Sequence, residues 1–356
     1  MTLITKGQVL SGDCVVADIY NDLVIVKNAA RCPLFLLDHS DVKLWLANRT
    51  MDLTRGHSRS LRRIKGLLSK DEAAIALSVH GVTVSDNYWI KQAHETLSYQ
   101  DVVFKDNDSF LVAFAGDVTG IEANNNPSPQ LTLGGSLEKG WTLSDSGEWV
   151  LYKRENPIEV FNELFCAYAS RYFGIETAEY ERTDGGIKTR NFASSANFED
   201  ATALFGEDCS DYAHSYDVIL SYFGKDAANE YVKLLFFDAV VKNTDRHPGN
   251  FGFLRDRETG KFLSLSPNFD YNQTLFGNTV VRKTPNVSDI LITDFLKLID
   301  SKTCGFRLPE FNIGEFTKNA PLELTSDKTV PFELAASLVN NRYELLTEHL
   351  VFTHSR

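Results

Sequence analysis

The densest run of chemically competent residues is Asp238-Ala-Val-Val-Lys-Asn-Thr-Asp-Arg-His-Pro-Gly-Asn250, followed by Phe251-Gly-Phe-Leu254. Asp245 and Asn250 stand five residues apart, in what reads as a loop between a helix and a strand. A carboxylate at such a place can accept or orient a hydroxyl proton. An amide oxygen can ligate Mg²⁺, which takes hard oxygen donors and keeps several waters. Phosphoryl transfer needs both groups to converge on one phosphate. A short loop closing a helix can aim them together, and Pro248 and Gly249 stiffen and turn it. His247 reads as a turn histidine bracing the loop, because this chemistry assigns it no required role.

A further acid follows. Asn268-Phe-Asp270 comes after a strand over 262–265 and a hairpin turn over 256–260. Asp270 would supply a second oxygen ligand to the same ion. Upstream, Thr132-Leu-Gly-Gly-Ser-Leu-Glu-Lys139 is a small glycine loop. Gly134, Gly135 and Ser136 would let backbone amides approach phosphate oxygens, with Lys139 beside them. Two adjacent glycines alone are more often a plain turn. Lys153 could neutralise α/β-phosphates, and Glu163 could hold that lysine by an ion pair. A strand-end lysine alone is usually solvated. The order of loop, strand Lys, helix Glu, Asp-x4-Asn and Asp lifts the reading above these alternatives, and Asp-x4-Asn is the spacing of protein-kinase catalytic loops.

The elements that must position these groups can be traced. Trp141-Thr-Leu and Trp149-Val-Leu-Tyr-Lys153 flank Asp145-Ser-Gly147, which predicts a hairpin with Trp149, Leu151 and Lys153 on one face. Asn156-Pro157 is an N-cap and first-turn signal. Phe161, Leu164, Phe165, Tyr168 and Tyr172 then follow at helical spacing, and Gly174 closes the helix. A helix over 228–241 leads into the Asp245 loop, and a last one spans about 331–350. Nearer the start, 15–19 and 23–27 read as strands around the turn Tyr20-Asn-Asp22, and Pro33-Leu-Phe-Leu-Leu37 as a third strand. Residues 51–80 read as helical. Their basic cluster (Arg55, Arg59, Arg62, Arg63, Lys65, Lys70) reads as a solvated face. Tyr88 and Trp89 read as core. Residues 105–128, ending in Asn124-Asn-Asn-Pro-Ser-Pro129, read as a linker.

Lys242-Asn-Thr-Asp-Arg-His-Pro-Gly-Asn-Phe-Gly resembles the catalytic loop of HipA-like serine/threonine kinases, the toxin class of bacterial toxin–antitoxin systems. Gly135-Ser-Leu-Glu-Lys139 resembles their Gly-x-x-Glu-Lys loop, and Asn162-Glu163 the Asn-Glu of their regulatory-type helix. Phe269-Asp270 resembles the place where they keep a metal-binding Asp. The resemblance covers about 128–350. It implies an α+β, bilobal, atypical kinase-like fold, with a small β-rich lobe (about 128–180) and a larger helical lobe (about 181–350). Residues 1–110 would be an extra N-terminal α+β module. It further implies ATP and Mg²⁺ as cofactors and transfer to a Ser/Thr hydroxyl of a protein substrate. Asp245 would be catalytic, Asn250 and Asp270 the metal ligands, and Lys153 the ATP-phosphate lysine. Thr132 stands where family members can carry a regulatory phosphoserine, so it is the candidate for autophosphorylation. A cognate antitoxin is a further implied partner.

Composition agrees with such a reading. The 356 residues suggest about two domains or one large bilobal one. With 36 Lys+Arg against 48 Asp+Glu, the net charge of −12 argues against direct coating of nucleic acid. Five scattered cysteines (Cys14, Cys32, Cys166, Cys209, Cys304) include no Cys-x-x-Cys pair, so packed, reduced thiols are expected rather than structural zinc. No apolar run approaches a membrane span, and no signal peptide is visible, which predicts a cytoplasmic protein without membrane contact. Two other functions fit the same residues: a kinase of a small molecule or lipid head group, and a catalytically inactive kinase-like binding module. The second is disfavoured because Lys153, Asp245, Asn250 and Asp270 are all present.

Overall fold

In the computed structural model, which describes residues 2–106, 108–277, 289–302 and 306–353, the β-branched runs near the N-terminus pair as an antiparallel sheet. Its strands are β1 (Lys6–Ser11), β2 (Cys14–Tyr20), β3 (Leu23–Val26) and β4 (Tyr88–Gln92), in the order β3-β2-β1-β4. Asn21 and Asp22 join β2 to β3 with φ of 52° and 66°. Asn and Asp tolerate this left-handed region, and the two-residue turn it gives matches strand twist. Trp89 and Tyr88 are buried, as expected.

Three expectations for this region need correction. Residues 34–38 are a short helix, Leu34–Asp38, rather than a strand. The Glu199 carboxylate accepts from the Leu34 N–H at 2.6 Å, a partner 165 residues away that no local pattern reveals. The basic cluster is not all solvated, since Arg55 and Lys65 are buried. Nor is the 105–128 segment a free linker. It carries the helix Phe110–Ala115, with Val112 in the core beside Trp89 and Leu131. The Lys65 ammonium donates to Asp108 Oδ1 (2.9 Å), Asn124 Oδ1 (2.7 Å) and Asn126 O (3.0 Å), using all three of its protons.

The predicted hairpin forms as β5 (Lys139–Leu143) and β6 (Trp149–Arg154), with Gly147 at φ +80° in the turn. Strands β7 (Tyr180–Thr183), β8 (Gly186–Arg190), β9 (Ala196–Asp200), β10 (Gly252–Asp256) and β11 (Phe262–Leu265) follow. The Asp256–Gly260 turn and the 262–265 strand are where the sequence places them.

Two compact units divide the chain out of sequence order. The first contains 1–154, 187–199 and 253–263; the second contains 155–186, 200–252 and 264–356. The glycine loop and Lys153 thus share a unit with residues 1–110. In the first unit, the two returning segments are tied to the N-terminal sheet by a buried charge pair. Arg255 Nη1 meets Glu199 Oε1 at 2.6 Å and also donates to Cys32 O at 2.9 Å. Tyr88 Oη donates to the same Glu199 oxygen.

The second unit is mainly helical, with Pro157–Tyr172, Tyr212–Phe223, Lys225–Val241, Ile290–Lys302 and Phe332–Thr353 as its longest helices. Asn156 accepts from Ile158 N and Glu159 N, while Glu159 accepts from Asn156 N, a reciprocal cap with Pro157 in the first turn. The C-terminal half of Lys225–Val241 is buried on every side, including Asp238. Arg342 of the last helix donates to Ala239 O at 2.6 Å and holds Asp289 in a two-bond pair at 2.7 and 2.9 Å.

Cys32, Cys166 and Cys209 are buried free thiols and Cys14 is partly buried. Burial pushes the Cys209 thiol up to about 11 and Cys32 up to about 12, so neither is a thiolate at neutral pH. Cys304 lies outside the described residues. Among the described residues, no helix is long and apolar enough to cross a membrane.

Candidate active site

The Lys225–Val241 helix ends at Lys242, which adopts φ +57° and donates its N–H to Asp238 O. This left-handed residue turns the chain into the Asp245 loop. Asp238 would be an isolated charge in an apolar helix, and Arg246 neutralises it. Arg246 Nε reaches Asp238 Oδ2 at 2.8 Å, and Nη2 reaches Oδ1 at 2.9 Å. Burial disfavours the guanidinium charge, but the charge and hydrogen bonds of Asp238, together with the neighbouring Tyr271 and Cys209, outweigh it and hold Arg246 well above its ordinary value. Asn243 Nδ2 adds a third bond to Asp238, at 2.8 Å.

Arg246 also shapes the rest of the loop. Its Nη1 donates to the Asn250 carbonyl, and the guanidinium lies 5.0 Å from the centre of the Tyr271 ring. Tyr271 is the neighbour of Asp270. One buried side chain therefore touches both the Asp245–Asn250 loop and the Asp270 segment. His247 Nδ1 accepts from Gly249 N at 3.1 Å, so it braces the loop as expected.

Within the loop, the Asp245 side chain is exposed and its N–H is held by Asn243 Oδ1. Asn250 is buried. Its Nδ2 donates to Asp245 O at 3.0 Å. Because the amide nitrogen faces a carbonyl, its orientation is set, and the amide oxygen is turned the other way. Asp270 sits at φ +61° and its N–H donates to Tyr180 Oη at 3.1 Å.

Glu163 and Asp270 come together, joined by a residue the sequence reading missed. Glu155, Glu163 and Asp270 each place a carboxylate oxygen within 4.8 Å of the other two. Glu155 and Glu163 are buried, and Glu163 Oε2 accepts from Tyr271 N at 2.9 Å. Asn162 reinforces the approach by donating to Asn272 O and Thr274 O. Three carboxylates this close repel one another. An all-oxygen donor set of this size fits a hard divalent cation. The signal for Glu155 was its place two residues after Lys153. The signal for Asp238 and Arg246 was a lone acid inside the apolar run 234–241.

The other expected residues lie in the first unit. Gly134, Gly135 and Ser136 form an exposed loop, with Gly135 at φ +87° and the Lys139 side chain folded against it. A Cβ at Gly135 would both strain the backbone and collide with that lysine. Lys139 and Lys153 are direct cross-strand partners in the β5–β6 hairpin, and Lys153 is buried. Lys153 belongs to the first unit and Glu163 to the second. The Thr132 hydroxyl is buried and donates to Val82 O at 2.7 Å, so phosphorylation there requires that bond to break.

Comparisons with known proteins bear on the family and the fold. The family model described as HipA-like C-terminal domain matches residues 131–315. No curated protein matches the chain in sequence. One similar solved structure is HipA from Shewanella oneidensis MR-1, in a toxin–antitoxin complex with HipB and operator DNA. It is 12% identical, with a TM-score of 0.51 over 96% of this chain and 89% of that one. A second is the Helicobacter pylori proinflammatory kinase CtkA, 15% identical, with a TM-score of 0.39 over 58% of this chain and 90% of that one. The HipA likeness is one of fold and includes the N-terminal part of the chain. With more than half of its length matched by the family model, and with the α+β kinase-like fold of HipA, the chain belongs to the HipA-like C-terminal domain family.

Proposed function

We propose that the protein is an ATP- and Mg²⁺-dependent serine/threonine protein kinase of the HipA type. The observation that carries the reading is the bridge made by Arg246, which touches Asn250 and Tyr271 and so braces the Asp245 loop and the Asp270 segment together. In this reading the Asp245 carboxylate orients the acceptor hydroxyl and takes its proton. The hydroxyl oxygen bonds to the γ-phosphorus as the bond to the β,γ-bridging oxygen breaks, releasing ADP. Asn250 Oδ1 and Asp270 would hold Mg²⁺, with Glu155 and Glu163 adding negative charge nearby. The metal, when bound, neutralises charge on the phosphates.

Lys153 and Lys139 bind the phosphates, with the amides of Gly134, Gly135 and Ser136. Family membership and HipA fold add support. The Shewanella HipA is found with HipB, and by analogy we extend the reading to a toxin restrained by an antitoxin in the cytoplasm. Thr132 remains the candidate autophosphorylation site of this reading, in a state that frees its hydroxyl from Val82.

The test is phosphoproteomics of cells expressing the parent or the Asp245→Ala form. Protein Ser/Thr phosphosites confined to the parent are expected. A phosphorylated small molecule or lipid with no new protein sites would point to the other kinase class. No difference of any kind would point to a binding module.

A further inference from the structure

Two residues of the N-terminal part, Arg55 and His57, separated by Gly56, grip the glycine loop at both ends. Before the loop, the Arg55 guanidinium donates to Leu133 O at 3.0 Å and to Gln130 O at 3.5 Å. Arg55 is 3% exposed, and among the described residues it forms no ion pair with a carboxylate. Burial lowers it to about 10, which leaves it charged at neutral pH. A buried cation that donates to main-chain carbonyls gives up hydration and fixes the backbone it holds, and here the nearby Asp52 charge favours it.

After the loop, His57 Nε2 lies 3.0 Å from Glu138 Oε1. The other Glu138 oxygen meets Arg154 Nε at 3.2 Å. His57 itself adopts φ +65°, an uncommon backbone state for histidine. Its ring packs on Gly116, where a side chain would occupy the same space. Gly56 leaves room for the Glu138 carboxylate, since a Cβ there would lie 2.5 Å from Glu138 Oε1 and the side chain would have to shift. Between the two grips, Gly134 and Gly135 are exposed, and a Cβ at Gly134 would meet nothing within 4 Å. The loop is thus exposed in its middle and held at both ends.

We propose that Arg55 and His57 are positioning residues that hold the glycine loop in its phosphate-binding shape, which gives residues 1–110 a part in nucleotide binding. The inference rests on reading 134–136 as the phosphate loop. Ordering a free glycine-rich segment around a ligand costs conformational entropy. A loop already fixed at Leu133 and Glu138 avoids much of that cost, which is preorganisation of the ligand site. The effect falls on the phosphates, because only they meet the loop.

The experiment measures Mg·ATP and adenosine affinity by calorimetry for the full-length parent, His57→Ala, Glu138→Gln and the double variant. His57 and Glu138 are about a third exposed, so these variants should fold, and melting curves check that they do. Each single variant is expected to weaken Mg·ATP by about two- to fivefold, the range of a partly exposed ion pair. The double variant should be no weaker than the worse single, and adenosine affinity should not move. Arg55→Met, if folded, should weaken Mg·ATP by about tenfold or more. Parent-like Mg·ATP affinity in both single variants overturns the clamp and leaves the kinase reading intact. Equal loss for ATP and adenosine also overturns it, as a general structural effect. A parent that binds no Mg·ATP overturns both readings together.

Discussion

Arg246 and Asp238 form a buried two-bond pair, at 2.8 and 2.9 Å, that fastens the Asp245 loop to the end of the central helix. Neither side chain has appreciable access to water. Such a pair adds little over a well-packed apolar substitute, but removing one partner strands the other charge. Its value here is positional, because the same guanidinium holds Asn250 O and covers the Tyr271 ring.

Arg246→Met should therefore cost about 3–5 kcal/mol of stability. Thermal unfolding would show this as a drop of roughly 4–7 °C for a chain of 356 residues. In the fraction that stays folded, kcat should fall further than the affinity for ATP, since the loop is released and the lysines proposed to bind phosphate are not. A folded Arg246→Met protein with the parent's kcat would contradict the bracing role.

The carboxylate group makes a separate prediction. Asp270→Ala should weaken Mg²⁺-dependent ATP binding by about tenfold or more, and Glu155→Gln by less, in calorimetric titrations over a range of Mg²⁺. Glu155 is expected to matter because its carboxylate lies within 4.8 Å of both Glu163 and Asp270. A Mg²⁺ dependence identical to the parent's in Asp270→Ala would remove that residue as a ligand.

Asp289 gives a pH prediction. Burial raises its carboxyl, but the hydrogen bonds and charge of Arg342 outweigh that and hold it below its ordinary value of 3.8. A carboxyl lowered in the folded state stabilises fully above its unfolded value, and this stability is lost as pH falls through the folded value. The melting temperature of Asp289→Asn should thus lie below the parent's at pH 7. The gap should close as pH falls below about 4. A gap that stays constant from pH 7 to the acid limit would show that the pair's charge contributes nothing.

What could be read in advance was local. The β5–β6 hairpin, the Asn156-Pro157 helix start, the Asp256–Gly260 turn and the 262–265 strand all follow from short-range turn and cap chemistry. The helix at 34–38 was missed because its first amide is capped by Glu199, far along the chain. Lys65 was misread for a related reason. A charge run looks solvated until the acceptors that bury it, Asp108, Asn124 and Asn126, are folded around it. In the site, Asp245, Asn250 and Asp270 were visible through spacing. Glu155 was not, since its nearness to Glu163 and Asp270 depends on how the 268–272 segment is anchored. Asn268 N donates to Glu176 O there, and Tyr271 N to Glu163. The compact units were equally hidden, because 187–199 and 253–263 return to the first unit through the Glu199–Arg255 pair.

The central claim is that the Asp245 carboxylate takes part in phosphoryl transfer. The measurement that tests it most directly is transfer of the γ-phosphate of labelled ATP by purified parent and Asp245→Ala proteins, at matched Mg·ATP occupancy and with matched melting curves. The account predicts transfer by the parent and a loss of at least about a hundredfold in the variant, the low end for a general base. Parent-like transfer by folded Asp245→Ala would contradict it.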